Sequence, residues 1–176
     1  DPERPFTRRS FSPLFLKGRE WLKQRFEDAG LRVRLDAAAN LIGRLEGAEK
    51  DKPVILLGSH SDTVPSGGRF DGPAGVLAAL EVARSIKESG HELRHSIEVV
   101  DFLAEEPSEY GVSCVGSRAM AGVLDENLLS YSNSAGETLS RAIERVGGDV
   151  SRLESARRSD ISGYLELHIE QGVVLQ

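Results

Sequence analysis

Leu14, Trp21, Leu22, Phe26 and Ala29 recur at spacings of three, four and seven, with Lys, Arg and Glu between them. Such spacing gathers the apolar side chains on one face and predicts a helix over 13–29, stopped at Gly30. Leu31 to Leu35 then alternates Leu, Arg, Val, Arg, Leu, the period of a half-buried strand, and a second short strand is predicted over 41–45. After a polar turn at 47–52 the pattern changes. A continuous apolar run at 53–57 predicts a strand buried on both faces, followed by a glycine-rich loop over 58–72. Val76, Ala79, Leu80, Ala83 and Ile86 share one face of a helix predicted over 73–87. A second buried strand over 97–104 runs into Glu105 and Glu106. Short helices are expected over 117–121, with Ser117 as N-cap, and over 136–146, closed by Gly147 and Gly148. A last strand is expected over 164–169. Strands and helices alternating in this way predict a three-layer α/β/α sandwich around a mainly parallel mixed sheet. The apolar end Val173-Val174-Leu175 follows that strand with no closing helix, which reads as a truncated domain, with a short natural tail as the alternative.

Composition narrows the function classes. With 39% hydrophobic and 28% charged residues in 176, the chain has enough apolar content for a core and is not wholly disordered. A net charge of −6 argues against a protein that neutralises nucleic-acid phosphates. The one cysteine, Cys114, excludes an internal disulfide framework and a Cys-rich zinc module. Apolar runs fall well short of the ~18 residues that a membrane-spanning helix needs. Residues 1–9 carry mixed charge and no apolar leader stretch, and a targeting segment ahead of Asp1 stays open.

In open α/β sheets, ligands bind beyond the carboxyl ends of the strands. There the sequence places His60, Asp62 and Asp71 after one predicted strand, Glu105 and Glu106 after the next, and His168, Glu170 and Gln171 around the end of the last. Histidine with carboxylates and no thiolate suits zinc or another first-row divalent ion. Bound cations would offset the repulsion among the acids, and a metal pair can activate water for hydrolysis. Each residue also has a plainer role. His60 could be a loop histidine, Asp62 an Asx-turn or an orienter of His60, and Asp71 the N-cap of the next helix. Glu105 and Glu106 could be solvated acids, and His168 could lie with Glu166 on the wet face of an edge strand. His91 and His95 sit in a polar connector and read as solvated, and Cys114 reads as a small, partly buried residue. Ser66-Gly67-Gly68-Arg69 matches neither phosphate-binding glycine pattern.

Together, GSHSDTVPSGGRFDG (58–72), EEPSEYGVSCVGSRAMAG (105–122) and HIEQG (168–172) resemble the signature blocks of the hydantoinase/carbamoylase family of dinuclear zinc amidohydrolases. GLRVRLDAAANLIGRLEG (30–47) is also similar, so the resemblance runs from about Phe11 to Gln176. It implies a zinc-exopeptidase-like fold and a cytoplasmic homodimer. It also implies two divalent ions per full-length chain, zinc first, with manganese, cobalt or nickel as alternatives. His60 would bind the first ion with Asp62 orienting it, Asp71 would bridge the two, Glu106 would bind the second, and His168 would complete the first. Glu105 would be the general base that takes a proton from the attacking water, and Gln171 would contact the substrate. The family often has glycine where Ala39 and Pro107 stand, proline at Val173 and an acid at Gln176; none of these departures removes a ligand. Members are more than twice this length. Residues 1–176 would therefore be the N-terminal portion of a single catalytic domain, without the lid and dimerisation domain or the last metal-binding histidine.

The leading functional expectation is hydrolysis of a linear C–N bond in N-carbamoyl amino acids or related ureido compounds such as allantoate and ureidoglycolate. An aminoacylase or dipeptidase with the same machinery is the alternative. HIEQG speaks against it, because that part of the clan more often places a carboxylate where His168 stands. A third reading is a fragment that binds metal without turnover.

Overall fold

The computed structural model describes residues 6–169. Helix α1 (Pro13–Asp28) starts at the N-cap Ser12, whose side chain accepts the Phe15 N–H. It leads into the hairpin of β1 (Arg32–Leu35) and β2 (Leu41–Leu45). Strand β3 (Val54–His60), helix α2 (Pro73–Glu88) and strand β4 (Ile97–Phe102) follow. After them come α3 (Val115–Ala121), α4 (Glu126–Leu129), α5 (Leu139–Arg145), a 3-10 helix (Val150–Ala156) and β5 (Ile161–Leu165).

Among the described residues the sheet order is β1-β2-β4-β3-β5. β3 runs parallel to both β4 and β5, whereas β1–β2 and β2–β4 are antiparallel. The sheet is therefore mixed: four of the five strands run in one direction, and β2 runs against them. The hairpin returns the chain without a crossover, so β2 enters beside β4 in the opposite direction.

Side-chain alternation on the strands feeds two apolar layers. Leu41, Leu57 and Val99 meet Leu22 and Phe26 of α1 and Val76, Ala79, Leu80 and Ala83 of α2. The neighbouring residues Ile42, Leu56, Val100 and Phe102 point to the other face, against Met120 of α3. Phe15, Leu103, Val115, Leu139 and Ile143 form a third cluster with α3 and α5. All six residues of β4 are buried, as its central place requires.

Several boundaries differ from the sequence expectation. β3 continues to His60, so the residues expected to open a loop lie in the sheet. β4 ends at Phe102, two residues early, because Ala104 turns left-handed at φ 48°. Ser117 lies inside α3 and does not cap it; the cap position is Cys114 at φ 55°. The first N–H groups of that helix need no side-chain cap, because Cys114, Val115 and Gly116 donate to the carbonyls of Glu105, Ala104 and Leu103. α5 begins three residues later than expected, behind Thr138, whose side chain accepts the Arg141 N–H. β5 starts three residues earlier than expected and ends at Leu165, so His168 lies beyond the strand. Its centre, Ser162-Gly163, carries no apolar signal to mark it.

One surface tie links the α3–α5 region to pH. Arg145 holds Glu137 with two bonds of 2.8 and 3.0 Å, and the Tyr110 hydroxyl donates to the same carboxylate at 2.5 Å. Hydrogen bonds from Arg145, then Tyr110, hold the Glu137 pKa down at about 2, against an ordinary value of 4.5. A carboxylate with a depressed folded pKa stabilises the fold above its unfolded pKa and loses that contribution as pH falls through the folded value. The unfolding midpoint of the native chain should therefore exceed that of Glu137→Gln by a constant margin at neutral pH. The margin should close between about pH 4.5 and pH 2, followed by thermal unfolding across that range.

Candidate metal centre

The parallel pairing of β3 and β4 brings their carboxyl ends side by side, with His60 opposite Phe102. His60 closes β3, and Glu105 and Glu106 leave β4 just beyond the left-handed Ala104. Ligand atoms of His60, Glu105 and Glu106 lie within 4.8 Å of one another. The His60 Nε2 is 3.6 Å from Glu105 Oε2 and 3.8 Å from Asp71 Oδ1. Asp71 Oδ1 is also 3.8 Å from the Nδ1 of His168, which sits on exposed chain past β5. The structure thus draws His60, Asp71, Glu105, Glu106 and His168 to one place. Gln171 and Glu170 lie outside the described residues.

Asp71 was open to a plain capping role, but the N-cap of α2 is the next residue, Gly72. That glycine is required. Its φ is +76°, and a Cβ there would lie 2.6 Å from His60 Nδ1. The start of α2 can press onto the imidazole only because no side chain intervenes.

Asp62 is fully buried and does more than face a histidine. His60 Nδ1 meets the Asp62 backbone carbonyl at 3.0 Å, and the carboxylate Oδ1 stands at 3.5 Å. The two carboxylate oxygens instead accept the backbone N–H groups of Glu105, at 3.2 Å, and Glu106, at 3.1 Å. One side chain therefore joins the end of β3 to the glutamate pair.

Electrostatics at the site favour a cation. Burial works to lower the His60 pKa, but the hydrogen bond and charge of Asp62, with Glu105 and Asp71, outweigh it and hold the imidazole at about 9. Burial, followed by the hydrogen bond and charge of Asp71, pushes the Glu106 carboxyl up to about 7. Acids that retain protons near neutrality can exchange them for a divalent ion, as metal binding with proton release requires. The donor set is imidazole nitrogen and carboxylate oxygen, which suits zinc and its first-row neighbours. These residues fit a metal centre.

Spacing did not reveal the layer beneath. Arg19 of α1 reaches under the site, with its Nε 2.9 Å from Asp101 Oδ2 and its Nη1 2.7 Å from the Ala39 carbonyl. Ser61 donates to the same Asp101 oxygen at 3.0 Å. Asp101 is fully buried; burial drives its carboxyl pKa up against the pull of Arg19. The available signal was a carboxylate inside an otherwise apolar strand. Asn40, also fully buried, was likewise overlooked. His91 is exposed and His95 half-buried, and they bond Ser89 and the Pro53 carbonyl. They lie between α2 and β4, at the far end of the sheet from His60, and cannot supply a ligand here.

Residues 40–139 match peptidase family M28, a metal-dependent family. The chain is 44% identical over 177 residues to an N-carbamoyl-L-amino acid amidohydrolase of Geobacillus stearothermophilus, covering 99% of this chain and 43% of that protein. It is 36% identical to the allantoate amidohydrolase of Escherichia coli (strain K12), covering 100% of this chain and 43% of that one. Among solved structures, a hydantoinase/carbamoylase family amidase from Burkholderia ambifaria superposes with a TM-score of 0.88 at 36% identity, over 99% of this chain and 42% of that chain. The chain thus spans about two fifths of the length of these relatives. No described helix is long and apolar enough to cross a membrane. With a family match over most of its strands and helices, and whole-length similarity to amidases of one type, the chain belongs to peptidase family M28, in its hydantoinase/carbamoylase amidase branch.

Proposed function

We propose that the chain is the N-terminal portion of the catalytic domain of an amidohydrolase that cleaves a linear C–N bond in N-carbamoyl-L-amino acids or related ureido compounds such as allantoate. The observation that carries this reading is the meeting of His60, Asp71, Glu105 and Glu106 at the carboxyl ends of β3 and β4. The relative of 44% identity favours the carbamoyl substrate. In this reading His60, Asp71, Glu106 and His168 would hold two divalent ions. When bound, such ions polarise the carbonyl and lower the pKa of water. Glu105 accepts a proton from the attacking water and returns it to the leaving nitrogen. Asp62 holds His60 and the backbone of the glutamate pair, and Gln171 contacts the substrate. The full-length protein forms a homodimer through an inserted lid and dimerisation domain.

The test is a turnover assay on the full-length protein, reading ammonia from N-carbamoyl-L-amino acids and allantoate and the freed α-amino group from N-acyl amino acids and dipeptides. Turnover confined to the last two would replace this reading with the aminoacylase or dipeptidase one. The 176-residue chain alone holds one imidazole–carboxylate set, because Asp71 and Glu106 alone make a weak second site. Calorimetric titration with zinc should find at most one tight site on it, with no measurable turnover of either ureido substrate.

A further inference from the structure

The carboxamide of Asn40 joins three segments that are distant in sequence. Its Nδ2 donates to Asp36 Oδ2 at 2.8 Å and to the Gly116 carbonyl at 3.1 Å, and its Oδ1 accepts the Leu103 N–H at 3.0 Å. Both donor hydrogens are used, and the oxygen holds a backbone group that would otherwise be buried unpaired. The antiparallel course of β2 explains the location. Leu41 pairs with Asp101, so Asn40, one residue earlier, stands level with Phe102, the last residue of β4.

Leu103 is two residues ahead of Glu105, and between them Ala104 adopts φ 48°. The direction in which the glutamates leave the sheet depends on that left-handed residue. Asn40 holds the chain on its near side, at Leu103, and Asp62 holds the far side, at Glu105 and Glu106. Gly116 lets the pieces close: a Cβ there would lie 1.9 Å from Asn40 Oδ1 and 2.6 Å from the Leu103 nitrogen.

We propose that Asn40 is a positioning residue for Glu105 and Glu106, fixing through Leu103 and Gly116 the left-handed bend that delivers both carboxylates to the site. The inference rests on the reading of Glu105 as base and Glu106 as ligand. Asn40 acts through the backbone and makes no contact with the reacting atoms.

The experiment compares Asn40→Ala with Phe26→Leu in the full-length, metal-loaded protein, at a temperature where both are folded. Phe26 is buried in the opposite core cluster, between α1 and α2, and its truncation lowers stability without touching the bend. Asn40→Ala should lower kcat about 10²-fold, the usual consequence of an ångström-scale misplacement, with KM within about threefold. Phe26→Leu should keep kcat within about twofold. Hydrogen exchange in the metal-free protein gives a readout independent of turnover. The Glu105 and Glu106 amides should exchange faster in Asn40→Ala and at the parent rate, corrected for stability, in Phe26→Leu. Should Asn40→Ala fail to fold, Gly116→Ala displaces the same carboxamide and carries the same expectations. Parent-like kcat in the folded variant, or an equal fall in Phe26→Leu, would overturn the inference. If Glu105→Gln is inactive and Asn40→Ala is not, this inference alone falls; if Glu105→Gln is active, the reading of the glutamates falls with it.

Discussion

Glu105→Gln in the full-length protein should retain its metal and lose about 10²–10⁴-fold in turnover, the range for removal of a general base. The substitution keeps size and shape and deletes the carboxylate's charge and with it the ability to take a proton. The backbone hold is indifferent to it, because Asp62 binds the Glu105 N–H and not its side chain. In the proposed reading His60, Asp71, Glu106 and His168 would remain to hold metal, so content measured by atomic emission should match the parent. Activity within about threefold of the parent would remove Glu105 from the role of base.

Asp71→Asn should lower metal content and abolish turnover. Its Oδ1 is the oxygen that stands 3.8 Å from both His60 Nε2 and His168 Nδ1. A carboxylate there can serve two cations at once, and a carboxamide has lost the charge that makes such bridging favourable. Were Asp71 a cap, an asparagine would serve nearly as well, and loss of even a good cap costs only about 1 kcal/mol. The N-cap of α2 falls on Gly72. A variant with two ions per chain and normal turnover would defeat the dinuclear reading at its centre. Dialysis followed by metal analysis, with turnover measured on the same samples, decides it.

Periodicity located the helices that bury one face, and apolar runs located the strands. α1, α2, β2, β3 and β4 all carry one of these signals, and each was legible within a few residues of its ends. The place of the β1–β2 hairpin was less accessible, because nothing in the residues of a short hairpin says which neighbour it will join. β5 was displaced because Gly163 and Ser162 interrupt the alternation, and the 3-10 helix and α4 are too short to develop any. At the site, the residues that were named are those whose chemistry is visible in a single side chain at a strand end. Asn40, Arg19 and Asp101 escaped because they work through pairings between positions as distant as Arg19 and Asp101. The bonds from Asp62 to the glutamate amides escaped because a backbone N–H has no letter in the sequence.

The order in which this centre comes together follows from the β3–β5 pairing. The β1–β2 hairpin closes locally, on the microsecond scale of such elements. The β3–β5 ladder instead joins residues such as Val54 and Ser162, 108 apart, and does so in parallel. Contacts of that separation must be searched for late, after most of the chain is available. In chain order His60, Glu105 and Glu106 all precede β5 and His168. By contact separation the β3–β5 pairing should form after the β3–β4 pairing, so the acids should gather around one imidazole before the second joins them.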